Sequence, residues 1–309
     1  MKILFMGTPD FAVFSLKALV EAGEEVIGVV TQPDKPKGRG YTLTPPPVKV
    51  YATEQGLPVW QPTTLRDESF AELLAELAPD LIAVVAYGKI LPENVIKFPK
   101  YGCVNVHGSL LPEYRGAAPM QRAIIDGKST TGITTMYMDV GLDTGDMILK
   151  GEIAIEDGDN FETVHDKLGA LGAELLVKTV ALIGDGKAPR EAQDGTKATY
   201  AAKIEKSDCL IDFSRSAREI HCLIRGLSPI PLSFTHTADG KLLKVIAAER
   251  IDETCDAPAG AVVSLDDGIT VACGEGAVKL TTVLPEGKGR MSAADFVRGR
   301  KVSLGDILK

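Results

Sequence analysis

The sequence predicts an α/β chain, with a doubly wound, mostly parallel sheet first and a smaller β-barrel or sandwich after it. Three observations carry this. Near-continuous apolar runs at Ile3–Met6, Val26–Val30 and Leu81–Ala86 alternate with helix-patterned segments, as expected of parallel strands buried on both faces. From about Lys206 the pattern changes to short strand-like stretches separated by Gly and Asp turns. The 309 residues also exceed the roughly 100–200 that one domain usually holds. The expected division is a first domain over residues 1–188, a linker over 189–206 and a second domain over 207–309.

Taken in order, Ile3–Met6 is a short strand closed by Gly7. Phe11–Ala22 then has helical apolar spacing, with Thr8-Pro9-Asp10 supplying capping oxygens and Gly23 stopping it. Val26–Val30 is a second buried strand. Phe70–Leu77 reads as an amphipathic helix, and Leu81–Ala86 as a strand after Pro79-Asp80. Val104–Val106 and Ile133–Met138 are further strands, with a helical Met120–Ile125 between them. Phe161–Ile183 is a long helix capped by Asp159 or Asn160 and stopped by Gly184. Lys187–Thr199 is polar and without period, hence the linker. A short helix over Ser216–Arg225 then precedes strands at Leu242–Ala247, Gly260–Ser264, Ile269–Ala272 and Val278–Val283.

Composition narrows the function classes. With 45% hydrophobic and 25% charged residues the chain is an ordinary globular one. No apolar run approaches the ~20 residues that span a bilayer, so no membrane partner is expected and the location is read as cytoplasmic. Five cysteines at irregular spacing, without a C-x-x-C pair, argue against disulfides and against a structural zinc site. The net charge of −8 is uneven: residues 203–309 carry equal numbers of acids and bases, so all of it lies in residues 1–202. Lys288, Arg290, Arg298, Arg300 and Lys301 face one acid, Asp295, and form a local basic patch. A solvated surface is the commoner reading of such a run.

The chemistry centres on Asn105-Val106-His107. Period two puts Asn105 and His107 on one side of a strand, where the end of a parallel strand meets ligands. By itself the tripeptide reads more readily as a core histidine bonded to an asparagine. Its context favours chemistry. Gly108-Ser109 supplies a turn with amide donors, and Leu110-Leu111-Pro112 an apolar wall. The glycine-punctuated acidic loop Asp139–Asp146 supplies a carboxylate. Ser109 sits in no G-x-S-x-G elbow, so no nucleophile is evident. The set suits stabilisation of an oxyanion during acyl transfer to an external amine.

Asn105-x-His107-x-Ser109-Leu110-Leu111-Pro112 with Asp143 resembles the signature of the 10-formyltetrahydrofolate transformylase family. Tyr114–Arg122, Met138–Asp146, Met6–Phe11, Thr31–Asp34 and Val85–Gly88 resemble the branch that acts on methionyl-tRNA. The likeness spans the chain. It implies a Rossmann-like first domain and an OB-like barrel, with 10-formyltetrahydrofolate as formyl donor, initiator methionyl-tRNA as acceptor, no metal, and a monomer. It also implies that Asn105, His107 and Asp143 form a catalytic trio and that Ser109, Leu110, Leu111 and Pro112 line the folate site. The basic loop Asp34–Tyr41, with Lys35, Lys37 and Arg39, would reach the tRNA acceptor stem. Tyr41, Glu113 and Ile230 depart from the family's usual residues. The rival readings are formyl transfer to a small amine and an RNA-binding module on an inactive α/β domain. The second would leave RNA binding unchanged in His107→Ala.

Overall fold

The computed structural model describes residues 1–37, 42–253, 255–299 and 301–309. They divide into two compact units. The first comprises Met1–Gly116, Thr131–Ile153 and His165–Tyr200; the second comprises Ala117–Thr130, Ala154–Val164 and Ala201–Lys309.

The first unit is built on strand β1 (Ile3–Gly7), whose five residues are all buried. Helix α1 (Asp10–Glu21) follows at once. Thr8 does not cap it, contrary to expectation: its hydroxyl donates to the Tyr87 carbonyl, and the Asp10 carboxylate accepts from the Phe11 N–H instead. Gly7 permits this turn, because a Cβ there would sit 2.7 Å from that of Ala12. β2 (Val26–Val30) leads to a small antiparallel hairpin, β3 (Lys35–Lys37) against β4 (Thr42–Thr44). Next come α2 (Pro47–Glu54), β5 (Val59–Trp60), α3 (Glu68–Leu77), β6 (Leu81–Val85), α4 (Glu93–Ile96) and β7 (Cys103–His107). The Asp67 carboxylate caps α3 by accepting from the Phe70 N–H. A two-residue strand β8 (Arg115–Gly116) and helix α5 (Pro119–Ile125), the latter grouped with the second unit, precede β9 (Thr130–Tyr137) and β10 (Met147–Ala154). Helix α6 (Phe161–Gly184) then runs for 24 residues, with the Asn160 side chain accepting from the Thr163 N–H at its start.

The seven-stranded sheet has the order β10-β9-β7-β6-β1-β2-β5. β5, β2, β1, β6 and β7 are parallel, and β9 runs antiparallel to β7. The chain adds β2 and β5 on one side of β1 and then β6 and β7 on the other, so the strand order switches at β1 and the parallel strand ends at Gly7, Val85 and His107 lie on the side where open α/β sheets receive ligands. Leu4, Met6, Ile82, Val84, Phe70 and Leu74 form one core beneath α3. The hairpin, α2, β5 and β10 escape a periodicity reading for physical reasons. α2 starts on proline, β5 is two residues long, and β10 has no buried residue from Leu149 on, only half-buried and exposed ones, as at the edge of a sheet.

The second unit holds a short strand β11 (Tyr200–Ala201, whose first residue belongs to the first unit), helix α7 (Ala217–Leu227) and an antiparallel sheet. Its strands are β12 (Ser233–His236), β13 (Leu242–Ile251), β14 (Val262–Ser264), β15 (Ile269–Ala272), β16 (Ala277–Pro285) and β17 (Met291–Ser292), followed by α8 (Ala293–Arg298). The order β12-β13-β16-β15-β14, with β17 on β16, is that of a half-barrel consistent with an OB-like domain. Ile220, Ile224, Val245, Val278, Leu280 and Phe296 fill its core. Ser216 and Glu219 close a reciprocal capping box on α7. Gly226 of α7 lies against α5: a Cβ there would come 2.6 Å from the Ile125 side chain.

The cysteines Cys103, Cys209, Cys222, Cys255 and Cys273 are all free thiols, four of them buried. No helix among the described residues is long and apolar enough to cross a membrane.

Candidate active site

Strand β7 delivers Asn105 and His107 on one face, as their spacing requires. Parallel pairing with β6 and antiparallel pairing with β9 fix the register, with His107 opposite Thr134. His107 is buried, at 5% exposure, while Asn105 is half-buried. The His107 ring is pinned at one end, where Nε2 donates to the Tyr114 carbonyl oxygen at 2.9 Å. A carbonyl only accepts, so Nε2 carries hydrogen and Nδ1 is the nitrogen left for chemistry. Nδ1 faces Asp143 Oδ2 at 3.7 Å. That is ion-pair range, longer than a hydrogen bond and too short for a water between the two atoms. Among the described residues the Asn105 amide has no hydrogen-bond partner, so its two N–H groups are available beside the imidazole.

Asp143 reaches His107 from a loop between β9 and β10. Its backbone is left-handed, at φ +52°, a region Asp tolerates better than most side chains. Its Oδ2 also accepts from the Gly116 N–H at 2.8 Å. Gly145 makes the loop possible, because a Cβ there would lie 1.8 Å from the Tyr137 carbonyl oxygen. Val140 and Leu142, at the outer turn, are 62% and 57% exposed and contribute little packing.

The expected folate segment is less open than its sequence suggests. Ser109 is fully buried and its hydroxyl donates to the Glu113 carbonyl at 2.6 Å, so it serves no nucleophilic role. Thr134 Oγ1 donates to the Ser109 carbonyl and accepts from the Leu111 N–H. Leu111 is buried with Met136 and Met147. Ser109 and Leu111 therefore shape the segment from within, whereas Leu110 and Pro112 are half-buried and offer the accessible surface.

Of the expected tRNA contacts, Lys35 is exposed at the start of β3 and Lys37 ends that strand. Arg39 lies outside the described residues, as does Arg300 of the C-terminal patch. The base of the hairpin is tied down. Lys49 donates to both Asp34 oxygens at 2.9 Å and to Gln61 Oε1, and Gln61 donates back to Asp34. Those hydrogen bonds, from Gln61 first and Lys49 second, hold the Asp34 carboxyl below its usual range. In the second unit Lys288 and Lys301 line a cavity of about 430 Å³, accompanied by Asp239, Glu286 and Asp295.

Residues outside the expected trio and folate segment complete the site: Tyr114 through its carbonyl, Gly116 through its amide, and Arg115 and Gln193 beneath the Asp143 loop. The first three follow the Leu-Leu-Pro run and could have been suspected from that position. Gln193 lies in the aperiodic stretch read as linker, where no local signal marks it. Of the other histidines, His165 rests against Phe11 and lies 3.5 Å from Asp10, and His236 Nδ1 donates to the Lys309 carbonyl. Among the described residues no cluster of His, Cys, Asp and Glu could hold a metal ion.

Two family profiles match the chain: formyl transferase over residues 1–180 and the formyl transferase C-terminal domain over residues 203–301. A methionyl-tRNA formyltransferase of Pelotomaculum thermopropionicum is 51% identical, over 100% of this chain and 98% of that one. Another, from Bacillus subtilis, is 50% identical over 99% of this chain and 97% of its own. An N-formyltransferase from Helicobacter canadensis, solved with folinic acid and dTDP-3-aminofucose, superposes with a TM-score of 0.67 at 19% identity, covering 91% of this chain and 99% of that one. HypX from Aquifex aeolicus, solved with tetrahydrofolic acid, gives 0.64 at 16% identity over 96% of this chain and 47% of its own. These last two bear on the fold alone.

Proposed function

The chain belongs to the formyl transferase family, and on that premise we propose that it transfers the formyl group of 10-formyltetrahydrofolate to the α-amino group of methionine on initiator methionyl-tRNA. The observation that carries the chemistry is the approach of Asp143 Oδ2 to 3.7 Å from His107 Nδ1, with Asn105 on the same face of β7 and Ser109 committed elsewhere. Half identity along the whole length to relatives named for methionyl-tRNA supports the acceptor.

The donor set fits a formyl group: it offers N–H donors for one oxygen and a carboxylate for one proton. 10-Formyltetrahydrofolate supplies the formyl carbon, bonded to a nitrogen that can leave. The Asn105 N–H groups and a protonated His107 Nδ1 donate to the formyl oxygen as negative charge grows on it. Asp143 faces the charged imidazole and accepts the proton that the incoming amine loses, directly or through water; as the new C–N bond is kept and the bond to the folate nitrogen breaks, that proton passes to the leaving nitrogen and tetrahydrofolate departs. The Tyr114 carbonyl keeps the ring from turning, so Nδ1 stays aimed at this point. Leu110 and Pro112 belong to the folate wall in this reading, with Ser109 and Leu111 holding it in shape. Lys35, Lys37 and Arg39 contact the tRNA. A monomer in the cytoplasm, where charged tRNA is consumed, is part of the same proposal, and light scattering at the mass of one chain supports the first half of it.

The test offers 10-formyltetrahydrofolate with methionyl-initiator tRNA, free methionine or a nucleotide amine. Formyl methionine should appear on the tRNA alone; transfer to the small amines and not to the tRNA overturns the reading. Asn105→Ala, His107→Ala and Asp143→Asn should each lower kcat by about 10²–10³.

A further inference from the structure

Asp143 is the most precariously held member of the site. It sits in a left-handed backbone conformation on a loop whose apolar side chains point to solvent, so packing does not explain why its carboxylate stays near His107. The hydrogen bonds beneath the loop do. Gln193 Nε2 donates one N–H to the Asp143 carbonyl at 2.9 Å and the other to the Gly145 carbonyl at 2.8 Å. Its Oε1 accepts from Arg115 twice, from Nε at 3.1 Å and Nη2 at 2.7 Å. Arg115 is itself 6% exposed, so the fork is a fixed, buried anchor. The next residue, Gly116, gives its N–H to the Asp143 carboxylate. Arg115-Gly116 thus grips Asp143 at two points, the side chain directly and the backbone through Gln193.

We propose that Gln193, held by Arg115, is a positioning residue that presents the Asp143 carboxylate to His107. The inference rests on the formyl-transfer reading of the site and adds to it a part of the chain with no chemistry of its own. The amide is the side chain of this size that does both tasks, donating twice upward and accepting twice from below. Glutamate would accept from Arg115 but set a carboxylate against two carbonyl oxygens. Leucine would leave two carbonyls and a buried guanidinium without their partners. The strap that carries Gln193 is fastened on both sides of it. Glu191 and Met147 exchange two backbone hydrogen bonds, and Thr199 accepts from the Tyr114 and Arg115 N–H groups. Residues 191–199 therefore hold the Asp143 loop at one end and the Tyr114 carbonyl segment, on which His107 leans, at the other.

The experiment uses the full chain with 10-formyltetrahydrofolate and methionyl-initiator tRNA. Gln193→Leu and Gln193→Glu should lose about 10²-fold in kcat, the scale of a misplaced catalytic group, with KM for both substrates within about twofold. Gln193→Leu added to Asp143→Asn should cost nothing further, because the residue acts through a carboxylate already removed. An equal loss in both backgrounds, a rise in KM alone, or an unchanged kcat overturns the inference. Arg115→Lys keeps the charge but not the fork, and its smaller loss in the same direction keeps the test open should Gln193→Leu not fold; an unchanged kcat in that variant also overturns it. A wild-type chain that formylates a different amine sinks the tRNA reading, and the cycle is then run on that amine. A fully active wild type with an unaffected Gln193→Leu sinks this inference alone.

Discussion

Tyr87 carries a buried hydroxyl with no hydrogen-bond partner among the described residues, and burial pushes its pKa up to about 12. Because the folded value lies above the unfolded value near 10, the neutral phenol contributes stability that is whole below pH 10 and lost as pH rises from 10 to 12. Tyr87→Phe should therefore be neutral or slightly stabilising at pH 7, since no hydrogen bond is lost, and should flatten the fall in stability across pH 10–12. Denaturant midpoints of the two proteins at pH 7, 10 and 11.5 check this; a Tyr87→Phe variant about 1 kcal/mol or more weaker at pH 7 would show that the hydroxyl is bonded after all. At this scale the sequence is informative where a rule links spacing to direction. Asn105 and His107 share a face of β7 because strands alternate, and Asp143 stands out as an acid among glycines. Gln193 is silent because its importance comes from two carbonyls and a guanidinium that are 48, 50 and 78 positions away.

The loop from β9 to β10 depends on Gly145 more than on any residue that touches substrate. Alanine there would place its Cβ against the Tyr137 carbonyl, a backbone atom that cannot swing aside, so the loop and Asp143 must shift together. Gly145→Ala should lower kcat by about 10²-fold, at a stability cost of about 1–3 kcal/mol; kinetics read beside a thermal melt separate the two, and full kcat would refute the point. Elements were legible in proportion to their burial. β1, β2, β6 and β7 are apolar runs and give themselves away. β5 is two residues long, and the β3–β4 hairpin has Thr42, Leu43 and Thr44 all open to solvent, so neither leaves a periodic trace. Residues 189–200 carry no period either, because their order comes from hydrogen bonds to the first unit and not from a buried face.

On the scale of the whole molecule, compact units and chain order do not coincide. Helix α5 lies among the residues matched by the formyl transferase profile, yet it is grouped with the second unit and packs on α7. Arg122 of α5 reinforces the attachment, donating to the Ala202 and Lys203 carbonyls and pairing with Asp208 at 2.7 Å. A fragment ending at Tyr200 keeps α5 and loses α7 and the partners of Arg122. It should melt below the full chain and expose apolar surface, measured by calorimetry and by dye binding; an equal melting point would show that α5 is secured from within the first unit. The change of pattern near Lys206 pointed to a second, β-rich fold, but nothing in the sequence says that an early helix is grouped with it. Close packing at Gly226 is a fact about two distant segments, and it writes no pattern into either.

The pairing of α5 with α7 has a consequence in time. About 90 residues separate the two helices, so at a synthesis rate of roughly 5–20 residues per second α5 waits on the order of 5–20 s for the surface it covers. Over that interval a nascent chain shows Ile125 and its neighbours uncovered near the ribosome exit, which is when a chaperone that binds apolar helices has its opportunity.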